Sequence, residues 1–396
     1  MKKLIISLGI LLTLISITVV VILFGRGYRI FFDGIKPDVS GTGLLVATSS
    51  PDGAQVFVND HLTTATNNTI NLTPGEYDIK IFKQGYFSWE KHLKIEKGVV
   101  TKAEALLFPT APKLESITNT GVNVAVMDPS QTKLAYTVSS QSAKKNGIYV
   151  LDMTAKPIIT LQGLSIQIVE DTLNSFSRTK LSWTPDGSSI IATISALNLN
   201  TTYLLKGDGL NQNPSDITET ISTTSLTWQR QTLEKHRSQI DSLPRELRKF
   251  AENNFEIIAW SPDELKILYR VSKQSTLPII IKPPLIGVNS TPEQRLLKPG
   301  EIYVYDLKED RNYKILDYKA GFEKSLNWLA DSKHIIFVHD QKVEIMEYDG
   351  KNTTKIYAGP FVDSFVFPWP DGTKIVILTN LGNTDTAPNL YTIGLK

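Results

Sequence analysis

The chain has no cysteine among its 396 residues. This absence excludes disulfide bonds, thiolate metal sites, a cysteine nucleophile and a lipid anchor on cysteine. Any small domain in the chain must therefore be held together by its packed core alone. The formal net charge is only +2, so no strong basic field points to a nucleic-acid partner.

Motifs that carry chemistry are also scarce. The histidines form no HExxH or HxH pair; they are His61, His92, His236, His334 and His339. No Walker loop, no GxGxxG after a strand and no GxSxG elbow occurs. We therefore expect no metal, no cofactor and no catalytic residue. A pair of carboxylates gathered from different strands, as glycoside hydrolysis needs, remains an open alternative.

One long apolar run lies at the N-terminus. An uncharged stretch from Leu4 to Phe24 follows Lys2 and Lys3 and ends before Arg26. As a helix it is about 31 Å long, which matches a hydrocarbon core of about 30 Å. We predict a cytoplasmic stub and transmembrane helix over residues 1–26, with the lipid bilayer contacting residues 4–24.

A cleaved signal peptide and a buried core helix are the alternatives for this run. A signal peptide usually has an apolar region of about 7–15 residues that ends at a cleavage site of small residues. The run here is longer, and the residues from Phe24 to Tyr28 offer no such site. The positive-inside rule barely decides the orientation of the helix. Two basic residues, Lys2 and Lys3, lie before the run, and two others, Arg26 and Arg29, lie after it.

Short strands separated by turn residues fill residues 43–110, after a predicted juxtamembrane linker at 27–42. Pro51 presets φ in the first turn, where Gly53 can take a positive φ. Pro74-Gly75 has the residue order of a type II turn. Gly85 ends the predicted strand that precedes it in the chain. The strand from Tyr77 to Phe82 alternates apolar and polar residues, as a strand with one buried face does.

This segment resembles a PEGA domain, a small β-sandwich of prokaryotic surface proteins. The name-giving turn is Pro51-Asp52-Gly53-Ala54, with Asp in place of Glu. The pattern continues in Leu72-x-Pro74-Gly75-x-Tyr77 and in Gly85-Tyr86, and Gly27-Tyr28-Arg29 is similar to the junction between helix and domain in anchored members. The resemblance implies a binding or spacing role and an exterior, N-in arrangement. We expect the prolines and glycines to set turns and Ala54 to serve the same structural motif.

Five repeats occupy residues 112–396. Each has an apolar or aromatic stretch, a short turn containing Asp, and then an apolar strand. The turns are Asp128-Pro129-Ser130, Trp183-Thr184-Pro185-Asp186-Gly187, Trp260-Ser261-Pro262-Asp263, Trp328-Leu329-Ala330-Asp331 and Trp369-Pro370-Asp371-Gly372. Repeats of this kind predict the four-stranded blades of a β-propeller. We expect the strand from Lys113 to Ile117 to complete the last blade.

The repeats resemble the TolB-like, WD-repeat-like propeller, whose motif is an aromatic-Ser-Pro-Asp-Gly turn. A catalytic or calcium-binding role is one interpretation of the aspartates, and stacking on a sugar is one interpretation of the tryptophans. Because the aspartates recur once per blade, we expect each to cap its own turn. Trp183, Trp260 and Trp328 occupy equivalent positions in their repeats, and we expect them to wedge between blades.

Two insertions interrupt the repeats. Residues 226–254 have a helical pattern, in which Asp241 or Ser242 can cap a helix that places Leu247 and Phe250 on one face. This insertion is either a solvated helical hairpin or a partner-binding lobe. The second insertion, from Ser272 to Gly300, is rich in proline and is expected to form an extended loop on one rim.

The sequence therefore predicts an all-β protein: an N-terminal transmembrane helix, a PEGA-like β-sandwich at 43–110, and a TolB-like β-propeller of about five blades at 112–396. We expect a non-enzymatic, single-pass protein of the cell membrane with its C-terminal region extracellular, binding a protein, peptide or cell-wall glycan. The alternatives are a hydrolase or lyase acting on envelope polysaccharide and an envelope assembly or transport factor.

Overall fold

The computed structural model describes residues 2–25, 28–33, 36–154, 161–196, 199–318, 325–362 and 365–396. The chain divides into two compact units. Unit 1 is Met1–Phe108 with Ile281–Pro292, and unit 2 is Pro109–Ile280 with Glu293–Lys396. Arg26 and Gly27, which the sequence places at the end of the apolar run and at its junction with the next domain, lie outside the described residues.

The N-terminal apolar run forms one helix, α1 (Lys2–Gly25). The hydroxyls of Thr13 and Thr18 donate to the backbone carbonyls four residues earlier, so neither hydroxyl lacks an acceptor within the helix. Side chains are described for residues 6–22, where the large apolar ones are exposed. Across the part of the chain that the structure describes, no helix is both long enough and apolar enough to cross a membrane.

A short hairpin follows α1 in the segment predicted as a linker. Its strands β1 (Tyr28–Asp33) and β2 (Lys36–Gly41) pair antiparallel. Only the backbone of this hairpin is described up to Ser40.

The rest of unit 1 contains two sheets, with strand orders β6-β3-β9 and β5-β4-β7-β8. The strands, in chain order, are β3 (Gly43–Ser50), β4 (Gln55–Val58), β5 (His61–Ala65), β6 (Asn68–Leu72), β7 (Gly75–Phe82), β8 (Trp89–Ile95) and β9 (Val100–Leu106). Strands β3 and β9 run parallel, and the other pairs are antiparallel.

The two sheets enclose one apolar core. Leu45 of β3 and Ala103 of β9 belong to the same buried cluster as Ile79, Ile81 and Leu93 of the other sheet. Strand β9 alternates exposed and buried residues, as expected where one face is packed and the other solvated. The predicted small β-sandwich is therefore present.

The predicted turns of unit 1 have different outcomes. Gly53 has φ +73°, as its turn requires, and the next residue, Ala54, is completely buried. Gly75, in contrast, is the first residue of β7, where it pairs with Ile95. A type II turn needs a positive φ at Gly75, and Gly75 does not have one, so that prediction is wrong. The loop is instead closed by Tyr77, whose hydroxyl contacts Thr73 Oγ1 at 2.7 Å and donates to the Thr73 carbonyl at 3.0 Å.

Residues 281–292 complete unit 1 from far along the sequence. Strand β8 is the last strand of its sheet, and the backbone N–H of Lys94 in β8 donates to Ser290 Oγ at 3.0 Å. Gly287 allows the close approach, because a Cβ there would lie 2.6 Å from Val99 Cγ1. The segment thus covers part of a sheet edge. The sequence predicted a rim loop here and gave no sign of this contact.

Unit 2 consists mainly of five four-stranded antiparallel sheets, which we call blades 1 to 5. Blade 1 is β11 (Ala125–Met127), β12 (Lys133–Val138), β13 (Gly147–Asp152) and β14 (Ser165–Glu170). Blade 2 is β15 (Lys180–Trp183), β16 (Ser189–Ala196), β17 (Leu199–Lys206) and β18 (Ser215–Asp216). Short 3₁₀ helices at Leu161–Leu164 and Phe176–Arg178 flank β14.

The remaining blades follow the same order along the chain. Blade 3 is β19 (Phe255–Trp260), β20 (Lys266–Val271), β23 (Glu301–Asp306) and β24 (Arg311–Asp317). Blade 4 is β25 (Asn327–Trp328), β26 (His334–His339), β27 (Lys342–Glu347) and β28 (Thr354–Tyr357). Blade 5 is β29 (Val366–Pro368), β30 (Lys374–Thr379), β31 (Asn389–Gly394) and β10 (Leu114–Ser116).

Blade 5 joins the two ends of unit 2. Strand β10 pairs antiparallel with β31, so the first strand of the unit completes the last blade. Ile117 and Val122 then lie in one core cluster with Tyr136 of blade 1 and Val376 of blade 5. The strand order and this shared core are those of a closed five-bladed β-propeller.

Two insertions interrupt the run of blades, one between blades 2 and 3 and one within blade 3. The first forms α2 (Ile221–Asp241) and α3 (Arg245–Asn254), which leads directly into β19. The second leaves blade 3 after β20 and is closed at its base by β21 (Ser275–Thr276) and β22 (Leu296–Leu297). The predicted cap of α3 by Asp241 or Ser242 is wrong: its N-cap residue is Pro244, and Ser242 Oγ donates to the Gln239 carbonyl of α2 at 2.7 Å.

We expect Ile117→Ala to lower the free energy of unfolding by about 2–5 kcal/mol, because it leaves a cavity where blades 1 and 5 meet. Leu114→Ala is the matched control, since Leu114 lies on the same segment but is 36% exposed and should cost under about 1 kcal/mol. Urea unfolding followed by tryptophan fluorescence measures both. Equal costs for the two variants would contradict the closure of the ring through this core.

Candidate functional site

Five turns on the propeller hold the repeated aspartates, and we call them the turn ring: Asp128, Asp186, Asp263, Asp331 and Asp371. Each carboxylate accepts a bond of 2.8–3.1 Å from the backbone N–H two residues further along the chain. This arrangement fixes the tight turn between the first two strands of each blade.

Further donors occupy the same carboxylates. Thr184 Oγ1 donates to Asp186 at 2.5 Å, Ser261 Oγ to Asp263 at 2.6 Å, and Thr373 Oγ1 to Asp371 at 2.6 Å. Sequence reasoning did not identify these hydroxyl donors, although they lie within two residues of their aspartate in the same motifs.

Blade 4 uses a histidine in place of the hydroxyl. His334 Nδ1 lies 2.6 Å from Asp331 Oδ2, and the backbone N–H of His334 also donates to this carboxylate. Burial opposes ionisation, but the His334 ring and these N–H groups outweigh it and lower the pKa of Asp331 to about 2. The Thr184 hydroxyl, with the N–H and hydroxyl of Ser188, also lowers the pKa of Asp186. These two carboxylates are therefore ionised acceptors at neutral pH.

Hydrogen bonds also link different blades near the turn ring. The backbone N–H of Asp263 in blade 3 donates to Ser332 Oγ in blade 4 at 3.0 Å. Asn327 of blade 4 donates to the Val366 carbonyl of blade 5 at 3.2 Å and accepts a bond of 3.2 Å from Gln131 of blade 1. Because blade 5 lies between blades 4 and 1 in the ring, the bond between Gln131 and Asn327 joins two blades that are not neighbours.

The tryptophans of the motif occupy different environments. Trp183 Nε1 donates to the Val126 carbonyl of the preceding blade at 3.0 Å. Trp328 is buried in a cluster with residues of blade 3, and Trp369 in the cluster shared by blades 5 and 1. Trp260 instead packs at the edge of the cluster formed by blade 3 and α3. Pro185 and Pro262 lie in the turns beside their aspartates.

A buried polar cluster holds the base of the second insertion on blade 3. Arg295 Nη2 lies 3.2 Å from Asp310 Oδ1, and Arg295 Nη1 donates to the Pro278 carbonyl at 2.7 Å. Tyr305 donates to the same Asp310 oxygen at 2.7 Å, and the backbone N–H of Ile280 donates to the other. Sequence reasoning missed this cluster, because its members are spread over residues 278–310 and form no motif.

The helices α2 and α3 differ sharply in burial. Leu247 and Ala251 of α3 are buried against Tyr269 and Tyr303 of blade 3, as the apolar stripe predicted. Helix α2 has no buried residue, and its side chains Leu226 and Leu233 are each 67% exposed. The exposure of α2 agrees with the solvated helical hairpin that the sequence offered as one interpretation of this insertion.

No group of three or more His, Asp or Glu residues in the described ranges is arranged to hold a metal ion. His334 contacts Asp331, and His339, at the other end of β26, lies 3.6 Å from Asp340 Oδ1. His92 on β8 lies 2.7 Å from Asp78 and 3.4 Å from Glu76, contacts that raise its pKa, with the Asp78 bond as the larger cause.

We expect Asp331→Asn to destabilise the protein by about 1–2 kcal/mol at neutral pH, because the turn loses a charged acceptor. A carboxylate with a lowered folded-state pKa stabilises the fold above its ordinary value of 3.8 and loses that effect as pH falls toward about 2. The difference from wild type should therefore be largest above about pH 5 and shrink as pH approaches 2. Thermal unfolding over this pH range measures it.

The exposed loop residue Asp385 supplies the control. Asp385→Asn should change stability by less than about 0.5 kcal/mol. A pH-independent cost for Asp331→Asn would contradict the ionised contact with His334.

Comparisons with known proteins match part of the chain to one domain family and match the chain to several solved structures. Residues 42–110 match the family model of the PEGA domain. A comparison with curated proteins gives no match.

Several solved structures are similar to the chain. A putative TolB from Agrobacterium tumefaciens is 15% identical over 68% of this chain and 71% of that one, with a TM-score of 0.20. TolB from Acinetobacter baumannii is 16% identical over 80% of this chain and 59% of that one, with a TM-score of 0.23. The β-propeller domain of the Trilobed protease from Pyrococcus furiosus is 12% identical over 86% and 79%, with a TM-score of 0.18.

The chain thus spans less than two thirds of the Acinetobacter TolB. The predicted resemblance to the PEGA domain is confirmed for residues 42–110, TolB structures are among the similar ones, and the assignment of five blades rests on the sheets of this chain.

Proposed function

We propose that this protein is a non-enzymatic surface protein, anchored in a membrane, that binds a protein, peptide or cell-envelope glycan through its propeller and PEGA-like module. The observation that carries the proposal is that all five carboxylates of the turn ring are used inside their own turns. A catalytic role would require these carboxylates to face a substrate instead of their own backbone.

A binding role is supported by the surfaces that the insertions add to a regular scaffold. Loops and insertions on a rigid scaffold are where binding residues concentrate. Helix α2 exposes large apolar side chains, and α3 fixes the insertion to blade 3 through Leu247. The PEGA match supports a module of prokaryotic surface proteins, as the sequence resemblance implies.

The membrane anchor rests on the sequence, since none of the described helices meets the requirements of a membrane span. The uncharged run from Leu4 to Phe24 has the length of a hydrocarbon core, and it lies within a single helix. In the proposed topology, Lys2 and Lys3 remain in the cytoplasm and everything after Arg26 is outside the cell.

Membrane fractionation of the full chain tests this anchor. We expect the protein to resist alkaline carbonate and to dissolve only in detergent. Leu11→Arg with Ile15→Arg should release much of it, because each charge near the bilayer centre costs about 2.5–3.5 kcal/mol. The matched control, Leu11→Val with Ile15→Val, keeps the run apolar and should stay in the membrane fraction.

Protease treatment of intact cells then tests the topology. We expect cleavage after Arg26 and protection of an N-terminal tag. Protection of both units, or a wild-type protein that carbonate extracts, would contradict the proposal.

A further inference from the structure

We propose that one face of α2 is a docking surface for an acidic, amphipathic segment of a partner protein. The face consists of Leu226, Arg230, Leu233 and Arg237, and we call it the α2 stripe. This inference deepens the proposed binding function and rests on it.

The four residues of the α2 stripe lie on one side of the helix. They are spaced by four, three and four residues, and at about 100° per residue they fall within about 60° of each other. Leu226 and Leu233 are each 67% exposed, and both arginines are exposed. Two apolar and two cationic side chains are therefore presented together to solvent.

Polar contacts hold α2 near its C-terminal end. Gln239 Nε2 donates to Glu264 Oε1 at 3.0 Å, and Arg248 Nη1 of α3 lies 3.4 Å from Asp241 Oδ1. None of the 21 residues of α2 is buried. Most helices in proteins are stabilised mainly by packing of an apolar face. A partner on the α2 stripe would supply that packing.

Charge identifies the chemistry of the partner. Arg230 forms no ion pair with any residue that the structure describes, and Arg237 has only Asp241, at 3.9 Å and near the end of the helix. Two copies of α2 joined stripe to stripe would bring arginines together, which disfavours self-association. Carboxylates on a partner would instead pair with both guanidinium groups.

A lipid surface fits this helix less well. Interfacial helices bury a broad apolar face that carries Trp, Phe or Leu. On α2 the apolar side chains are divided, because Trp228 lies on the side of Lys235, opposite the two leucines. Two leucines supply little apolar area for insertion into a bilayer, but they suit a narrow seam against another helix.

The test uses the full chain in detergent and two synthetic helical peptides. One peptide repeats Leu every seven residues with Glu beside it, and the other has Lys in place of Glu. Fluorescence anisotropy should show that the Glu peptide binds wild type, and that Arg230→Glu with Arg237→Glu weakens this binding about tenfold or more. The same charge-reversed variant should gain affinity for the Lys peptide.

Two further variants separate the stripe from general charge effects. Leu226→Ala with Leu233→Ala should also weaken binding of the Glu peptide, whereas Lys235→Glu, on the opposite side of α2, should change it less than about twofold. Circular dichroism of each variant must show wild-type helicity.

Equal losses for Lys235→Glu and the Arg230→Glu/Arg237→Glu variant would overturn the proposal. So would binding to anionic vesicles that depends on the α2 stripe, or a wild-type dimer that the stripe variants dissociate.

Photo-crosslinking in the native cells separates this inference from the proposed function. Crosslinks of a partner to the propeller at positions other than 230 and 233 would overturn the inference and leave the proposed function standing. No crosslinked partner at any position would contradict both.

Discussion

The ring of unit 2 depends on the pairing of β10 with β31. Without it, β31 would present an unpaired edge and the core between blades 5 and 1 would lose Ile117. Residues at opposite ends of the unit also bond here, since Leu390 N donates to Thr118 Oγ1 at 2.9 Å and Thr118 Oγ1 donates to Asn389 Oδ1 at 3.0 Å. Closure therefore fixes the positions of all five turns relative to one another.

The five aspartates of the turn ring share one structural role, although their additional hydrogen-bond donors differ. Each aspartate accepts bonds from its own turn, but the extra donor varies: a threonine, a serine or, in blade 4, His334. Against the opposing effect of burial, the contact with His334 helps to lower the pKa of Asp331 to about 2. The same scaffold therefore tolerates local changes in its donors while the carboxylate stays fixed.

Local signals predicted most of the fold. The Asp-containing turns between apolar strands predicted five blades, and the strand from Lys113 to Ile117 predicted the closure. The prediction for Gly75 failed because the ladder with Ile95 overrides the local preference of Pro-Gly. The cluster of Arg295 and Asp310 could not be predicted, because its members belong to the insertion and to blade 3 and form no sequence motif.

Unit 1 is discontinuous in sequence, because it consists of Met1–Phe108 together with the later segment Ile281–Pro292. At the β8 edge, the backbone N–H of Lys94 donates to Ser290 Oγ, which belongs to this later segment. During synthesis, the sandwich emerges from the ribosome well before this cover exists, so its edge stays open until blade 3 is translated. A gene fusion that transfers residues 42–110 alone would therefore carry the sandwich without Ile281–Pro292, which covers part of the β8 edge.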